Sequence, residues 1–432
     1  MKKLITIGLA MAMTFALAGQ VKAAVPLETT GELRVRMFYL KAYAGAVAAP
    51  TNGKTNEFWD QRLRLGMNWQ VSDTVKLQAR ADILEGFWGD NGQTLAYTVK
   101  QDPSGLNTVS AEYIGTPGKD PIHFDWVNMQ FTWPGTPLSF TIGRQDASWG
   151  PGIMSKSDPR DRFKIVGAFD FGTLVALYQK RKEVFAAHDT NSQDDNRQYA
   201  IGYIGKGGGW NFGLIGLGTF FEADAAVDTT HYIIDAFATG KAGPADLSVE
   251  ALYLTGKNDY AAAPDVDLTG IAAYVGAFVP AGPVTVGFEA AYASGDKPGT
   301  ASKNEGAFKS DYHSPFWSVV LFNNMDLPGY AGESNPAANT GVSNAMAAKV
   351  TVVAKPVPAL TIVGAALYAT RDQKVGANNE KGMGTEFDLI FIYGITPNVS
   401  WTVGAGYLLP GKFYGDSADN ALAATSQFVL KF

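Results

Sequence analysis

The chain has 432 residues, 48 of them glycine and none cysteine, which excludes a disulfide framework, thiolate chemistry and haem attachment through a Cys-x-x-Cys-His motif. Its formal charge of −6 falls to about −9 when Lys2, Lys3 and Lys22 leave with an N-terminal leader, a balance that argues against general nucleic-acid binding. This length suits two or three soluble domains or one long barrel, and a chain 12% aromatic and rich in glycine favours the barrel.

Lys2 and Lys3 precede an apolar run from Leu4 to Ala18, and small residues follow around Ala23 and Ala24. Residues 1–23 therefore read as a secretory signal peptide, with 24–432 as the mature protein. The run is shorter than the roughly 20 residues that a helical span needs. No later stretch of 18 apolar residues occurs, so a membrane crossing must be made by strands.

From Gly31 onward the chain repeats about ten residues of period-2 alternation, followed in turn by a tight turn and a longer polar loop. Tight turns are expected at Ser72-Asp73, Pro134 to Pro137, Asp170 to Gly172, Lys206 to Gly209, Gly240 to Pro244, Pro280 to Pro283, Lys355 to Pro358 and Thr396 to Asn398, each rich in turn-forming residues. Longer loops are expected near 41–57, 89–122, 147–161, 185–196, 222–229, 256–268, 295–343, 371–383 and 410–421. Eight turns and nine loops join eighteen strands. Pro315 to Phe322 also reads as a strand, but a nineteenth would put the two termini on opposite sides of the membrane. It is assigned instead to the longest loop, 295–343, where it can fold into the pore mouth.

Cost decides which face looks where. An arginine pointed at lipid near the midplane costs roughly 2 to 4 kcal/mol. Leu33, Val35, Met37 and Tyr39 thus face lipid while Arg34 and Arg36 face the lumen. The same rule sends Arg62, Arg64, Lys76 and Arg80 inward, and later Glu289, Glu386 and Asp388. Trp69, Trp133, Tyr39, Tyr292, Tyr393 and Tyr407 fall near strand ends, where amphipathic rings suit the headgroup level. A soluble sandwich would need the inward positions to be apolar.

Eighteen strands enclose a lumen too wide for side chains alone to fill, and fixed charge on its wall sets selectivity. The six cations of the first three strands form either an anion-attracting strip or an internal ion-pair ladder. Asp235 and Glu250 are further acidic lumen candidates, and Glu386 and Asp388, placed on the penultimate strand, could neutralise part of the strip. After Gly143-Arg144-Gln145, the segment Trp149-Gly150-Pro151-Gly152 with Lys156, Asp158, Arg160, Asp161 and Arg162 could bend inward as a constriction. Strict alternation points Arg144 outward, so either it lies above the hydrocarbon or Gly143 marks a bulge. The chain ends on Phe432 after an alternating strand whose free edge must pair with the first strand.

Gly143-Arg144-Gln145 with the nearby Trp-Gly, the run Gly384-Thr385-Glu386-Phe387-Asp388-Leu389, Gly406-Tyr407 and Pro410-Gly411-Lys412-Phe413 together resemble the alginate-export-type outer-membrane porins. That resemblance implies an eighteen-stranded monomeric barrel with an arginine-rich lumen passing anionic polysaccharide or other solutes. A terminal Phe likewise resembles the signal read by the barrel-insertion machinery.

Enzymatic chemistry finds little support. Of His123, His188, His231 and His313, only His313-Ser314 and His123/Asp125 have nearby partners, and neither carries a hydrolase motif. No metal-ligand spacing is present, and the Gly-rich runs at 205–209 and 213–218 fall in a turn and a strand. The expectation is an all-β, single eighteen-stranded outer-membrane barrel without cofactor. It would act as a passive channel for small hydrophilic solutes with modest anion preference, its partners being outer-membrane lipid and the insertion machinery. An exporter of acidic polysaccharide and a sheath around an electron-carrying cytochrome are the alternatives.

Overall fold

Alternating sequence becomes alternating structure in eighteen antiparallel strands. The computed structural model describes residues 26–41, 55–88, 96–101, 107–112, 122–155, 159–182, 196–223, 227–308, 315–322, 342–374 and 379–432. The signal-peptide reading, Lys156 and Asp158 fall outside the described residues. The wall comprises β1 (Leu27–Lys41), β2 (Thr55–Ser72), β3 (Val75–Phe87), β4 (Ile122–Thr132), β5 (Leu138–Gln145), β6 (Arg160–Phe169), β7 (Gly172–Lys182), β8 (Asn196–Gly207) and β9 (Trp210–Ala223). It continues through β10 (Val227–Ala242), β11 (Ala245–Tyr260), β12 (Val266–Ala281), β13 (Val284–Ala293), β14 (Ala345–Val357), β15 (Leu360–Arg371), β16 (Gly382–Thr396), β17 (Val399–Pro410) and β18 (Ala421–Lys431). Each strand pairs with the next, and β18 pairs with β1 from Glu32↔Lys431 to Lys41↔Leu422, so the sheet has no free edge. Two further pieces lie outside the wall. Lys303–Asn304 runs parallel to the start of β12, and Ala96–Gln101 pairs with Asn107–Glu112 between β3 and β4.

All eight tight turns fall where turn chemistry puts them, with Gly135, Gly172, Gly208, Gly209, Gly243 and Gly282 at positive φ. Two of the expected long loops are much shorter. β9 and β10 stay paired to Ala223↔Val227, and β11 runs to Tyr260 with β12 beginning at Val266. Polar residues such as Asp228, Thr229, Lys257 and Asp259 read as loop in a hydropathy pattern. Above the membrane, however, a ladder needs only its backbone bonds to continue.

Burial is inverted relative to a soluble protein. Ile201 is 73% exposed, and Phe387, Leu389, Phe288, Met129 and Trp133 also lie on the outer face, whereas Asp235 and Glu386 are wholly buried. An outer surface of that kind suits lipid alone. The seam is closed by the last residue: Gly31 N–H donates to the Phe432 carbonyl at 2.7 Å and Phe432 N–H to the Gly31 carbonyl at 3.0 Å. The Phe432 ring lies over Gly31, where an added Cβ would come within 2.1 Å of it. Because that ring is exposed and can swing aside, Gly31→Ala is expected to cost about 1–2 kcal/mol. The measurement is the temperature at which the folded, faster-migrating gel band disappears, which should fall modestly.

Candidate functional site

The inward cations of β1–β3 are organised by carboxylates on neighbouring strands. Arg36 Nε and Nη2 donate to Asp60 Oδ1 and Oδ2 at 2.9 and 2.5 Å, and both side chains are buried. Arg64 forks onto Asp82 at 2.5 and 2.6 Å and reaches Asp125 at 2.6 Å. Arg80 donates to Asp125 at 3.0 and 2.7 Å with its guanidinium 3.6 Å from the centre of the Trp126 ring, and Arg62 meets Glu32 at 3.0 Å. Arg34 stands between Arg62 and Val429 in the strand register, and Lys76 is exposed beside the tight turn after β2. Among the described residues, six cations thus stand with five carboxylates, Glu28 at the turn end of β1 and Glu32, Asp60, Asp82 and Asp125 farther along the wall. The ladder is real, and it leaves a positive surplus.

Breaking a buried, bidentate pair strands its partner's charge, typically at 3–5 kcal/mol, while replacing both partners by apolar groups is often near neutral. Arg36→Leu is therefore expected to lower thermal stability sharply, and Arg36→Leu with Asp60→Leu to recover most of the loss. Asp82, His123 and Asp125 also bring potential metal-ligand atoms within 4.8 Å of one another. The Arg64 and Arg80 guanidinium groups already occupy these carboxylates, an arrangement unsuited to a divalent cation.

Two loops turn into the lumen, each gripped by a buried carboxylate. In the loop after β5, Trp149 Nε1–H donates to Asp235 Oδ1 at 2.7 Å. The amides of Gly152, Ile153 and Met154 donate to the Glu250 carboxylate at 2.8, 2.9 and 3.0 Å. The Trp149 ring meets Phe237 edge-on at 5.3 Å and fits a notch at Gly202 and Gly213, where any Cβ would lie about 3.0 Å from it. Glycine at those two strand positions is what lets the indole reach the wall.

The second loop carries Pro315 to Phe322, which forms no strand. Its backbone curls around Glu386, whose carboxylate accepts from the Val320 amide at 2.5 Å, the Leu321 amide at 2.8 Å and the Ser318 hydroxyl at 2.9 Å. Asp388 accepts from the Val319 amide at 3.4 Å. Lys349 donates to the Trp317 carbonyl at 2.9 Å and pairs with Glu289 at 2.8 Å, and Glu289 also accepts from the Tyr274 hydroxyl at 3.1 Å. Phe316, Val319, Val320, Leu321 and Phe322 pack in a dry cluster with Phe38, Leu40, Leu254, Ala345, Leu367, Ala369, Leu408 and Ala423. These wall residues lie near the loop ends of their strands.

Several expected positions change meaning. Glu386 and Asp388 lie on β16, one strand earlier than expected, and they turn to the loop rather than to the arginines. Arg162 is buried and donates to the Gln145 carbonyl at 2.6 Å and to Gln179. Gln179 in turn donates to Gln198, and Gln198 to Thr219 at 2.8 Å, making a polar ladder across β6–β9. Arg160 begins β6 on the same inward side. Arg144 points outward, 3.4 Å from Asp161, at the loop end of β5. Gly143 takes φ +113°, where an added Cβ would strike the Val127 carbonyl at 2.4 Å, so the position requires glycine, and the alternation past it is unbroken.

Sequence reasoning missed Asp60 and Asp125 as arginine partners and Lys349 as a loop tether. Asp60 could have been found, since it shares period 2 with Arg62 and Arg64. The apolar inward positions near the loop ends, such as Leu252, Leu254, Leu367 and Leu408, were also visible as breaks in the polar face. They mark where a loop docks.

A closed eighteen-strand antiparallel barrel with a lipid-facing exterior, tight turns at one end and in-folded loops at the other is the architecture of an outer-membrane porin. The Alginate export family model matches residues 168–427, and the chain belongs to that family. Solved structures of similar fold include Pseudomonas aeruginosa OpdK with vanillate (13% identity, TM-score 0.55, 94% of this chain and 99% of that one). Others are Acinetobacter baumannii OccAB1 (12%, 0.55, 96% and 98%) and a BenF-like porin from Pseudomonas fluorescens Pf-5 (13%, 0.55, 94% and 98%). Identities this low establish a shared fold and no more. No curated protein matches the chain by sequence.

Within the family match lie Glu386, Asp388 and Gly406, which converge on one loop. A Cβ at Gly406 would come within 2.5 Å of Val319 and 2.7 Å of Asp388. These residues seat the plug-like loop against the wall.

Proposed function

We propose that this protein is a passive outer-membrane channel for small hydrophilic solutes, with a modest preference for anions, and that it performs no catalysis. One observation carries the reading. Cations outnumber carboxylates on the β1–β3 wall, while the carboxylates of the other strands, Asp235 and Glu250 on β10 and β11 and Glu386 and Asp388 on β16, are spent on gripping loops. A solute in the remaining passage meets guanidinium groups that keep part of their surface, Arg64 at 23% and Arg80 at 18%. A low-dielectric wall focuses such a field. The two in-folded loops narrow the bore, which favours small solutes.

Planar-bilayer recording in a salt gradient provides the test. The reversal potential should shift toward that of chloride, and replacing Arg34, Arg62 and Arg64 by Ser should remove most of the shift. Cation preference in the wild type, or an unchanged shift in the variant, would count against the proposal.

Family membership favours export of an acidic polysaccharide as a second reading. It predicts that deletion traps polymer in the periplasm, whereas a general channel predicts slower uptake of small anions. A cytochrome sheath would need the lumen volume into which Trp149 to Ser155 and Pro315 to Phe322 fold.

A further inference from the structure

We propose that Arg371, at the inward loop end of β15, holds one chloride-sized monovalent anion between its Nη1 and Nη2 atoms. Alternation places Arg371 on the inward face after Leu367 and Ala369, both in the dry cluster that seats Pro315 to Phe322, and the strand register sets it beside Ala345 of β14, another member. The residue is only 8% exposed. The Phe413 ring, carried by the short 3-10 helix Lys412–Tyr414 after β17, covers the guanidinium at 4.4 Å. That segment lies close to β16 because Gly411 has no side chain: a Cβ there would stand 2.2 Å from the Gly382 carbonyl oxygen, and the Gly411 amide donates to the Met383 carbonyl at 2.9 Å.

What this cation lacks is a counter-charge. On the β1–β3 wall Arg36 has Asp60, Arg62 has Glu32, and Arg64 and Arg80 share Asp125. Among the described residues no carboxylate pairs with Arg371, whose electrostatic neighbour is the phenol of Tyr414, uncharged at neutral pH. Asp372, next in the chain, is engaged by the Gly295 amide at 2.8 Å. A charge removed from water needs a partner, and an aromatic face replaces its lost hydration only in part. Nε of Arg371 is shut off from solvent without a hydrogen bond, whereas neither Nη atom is so enclosed, so the guanidinium opens to the lumen by its two tips alone. A carboxylate gripping side-on would need Nε. A dianion would lose far more hydration on entering a wall of this kind, because that cost grows with the square of the charge. One small monovalent ion meets both limits. The inference needs the inner face of β15 to meet water and does not rest on the cation surplus of β1–β3, since a channel without anion preference could still hold the ion.

Thermal unfolding of the whole protein in detergent, wild type against Arg371→Met at matched ionic strength, tests it. In sodium sulfate the variant should melt above the wild type, because methionine fills the seat without a charge to bury. In sodium chloride that gap should shrink by about half or more, as the ion stabilises the wild type alone. An equal gap in both salts, a wild type that melts above the variant in sulfate, or acetate acting as strongly as chloride would overturn the proposal. Wild-type crystals soaked in sodium bromide give a second reading that does not depend on the variant folding. An anomalous peak is expected at the Nη tips, and its absence at Arg371 would overturn the assignment. The reversal potential reports the channel's ion preference separately, so either conclusion can fail without the other.

Discussion

Glu386→Ala is expected to release the Pro315 to Phe322 segment from the wall and raise single-channel conductance. The carboxylate accepts two amides and a hydroxyl in a site from which water is excluded, and bonds to a charged acceptor are worth about 1.5–3 kcal/mol each. Desolvating the carboxylate takes back part of that, leaving a net of about 3–5 kcal/mol in favour of the seated loop. Without Glu386, the Val320 and Leu321 amides must find water, which they reach only if the segment lifts. The apolar contacts of Phe316 and Phe322 oppose the lift, so the open state should alternate with the seated one rather than replace it. Bilayer traces should show larger, flickering conductance, while the barrel's melting temperature changes little because the wall ladder is untouched. Steady, wild-type conductance would mean that the loop lies clear of the ion path.

Glu250→Ala is expected to act on the other constriction by the same logic. Three consecutive amides, Gly152 to Met154, lose their common acceptor at once, again about 3–5 kcal/mol. Trp149 keeps its bond to Asp235 and its notch at Gly202 and Gly213, so the loop stays tethered at one end. Conductance should rise less than in Glu386→Ala. Adding Trp149→Ala should then free the loop entirely and bring a further rise. The two loops meet in one apolar cluster that holds Ile153 together with Phe316 and Phe322, so Glu250→Ala combined with Glu386→Ala should depart from the sum of the separate effects. Strict additivity would show that the shared cluster does not couple the two loops.

Much of the architecture was legible in the residues because lipid imposes a simple rule on every strand. Leu33, Val35 and Met37 against Arg34 and Arg36 can be read in only one orientation, and the eight tight turns carry their own Gly, Pro and Asn chemistry. Parity then fixed the fate of Pro315 to Phe322: a nineteenth strand would put the two termini on opposite sides of the membrane. The same rule failed where the chain leaves the membrane, at Asp228 and at Lys257 to Asp259, because a polar residue in water is compatible with strand or loop alike.

The candidate site was less legible. That Arg36 faces inward follows from alternation, but that Asp60 neutralises it depends on the register between β1 and β2. Glu250, Glu386 and Asp388 are inward acids by sequence. Only the folded chain, by bringing backbone amides from residues 65 to 98 positions away, turns them from pore lining into anchors. Period-2 alternation is a local property, written residue by residue, so the sequence by itself determined the barrel, its strand number and its facing. Which loop fills the lumen is a contest among long-range contacts, and that was decided by tertiary structure alone.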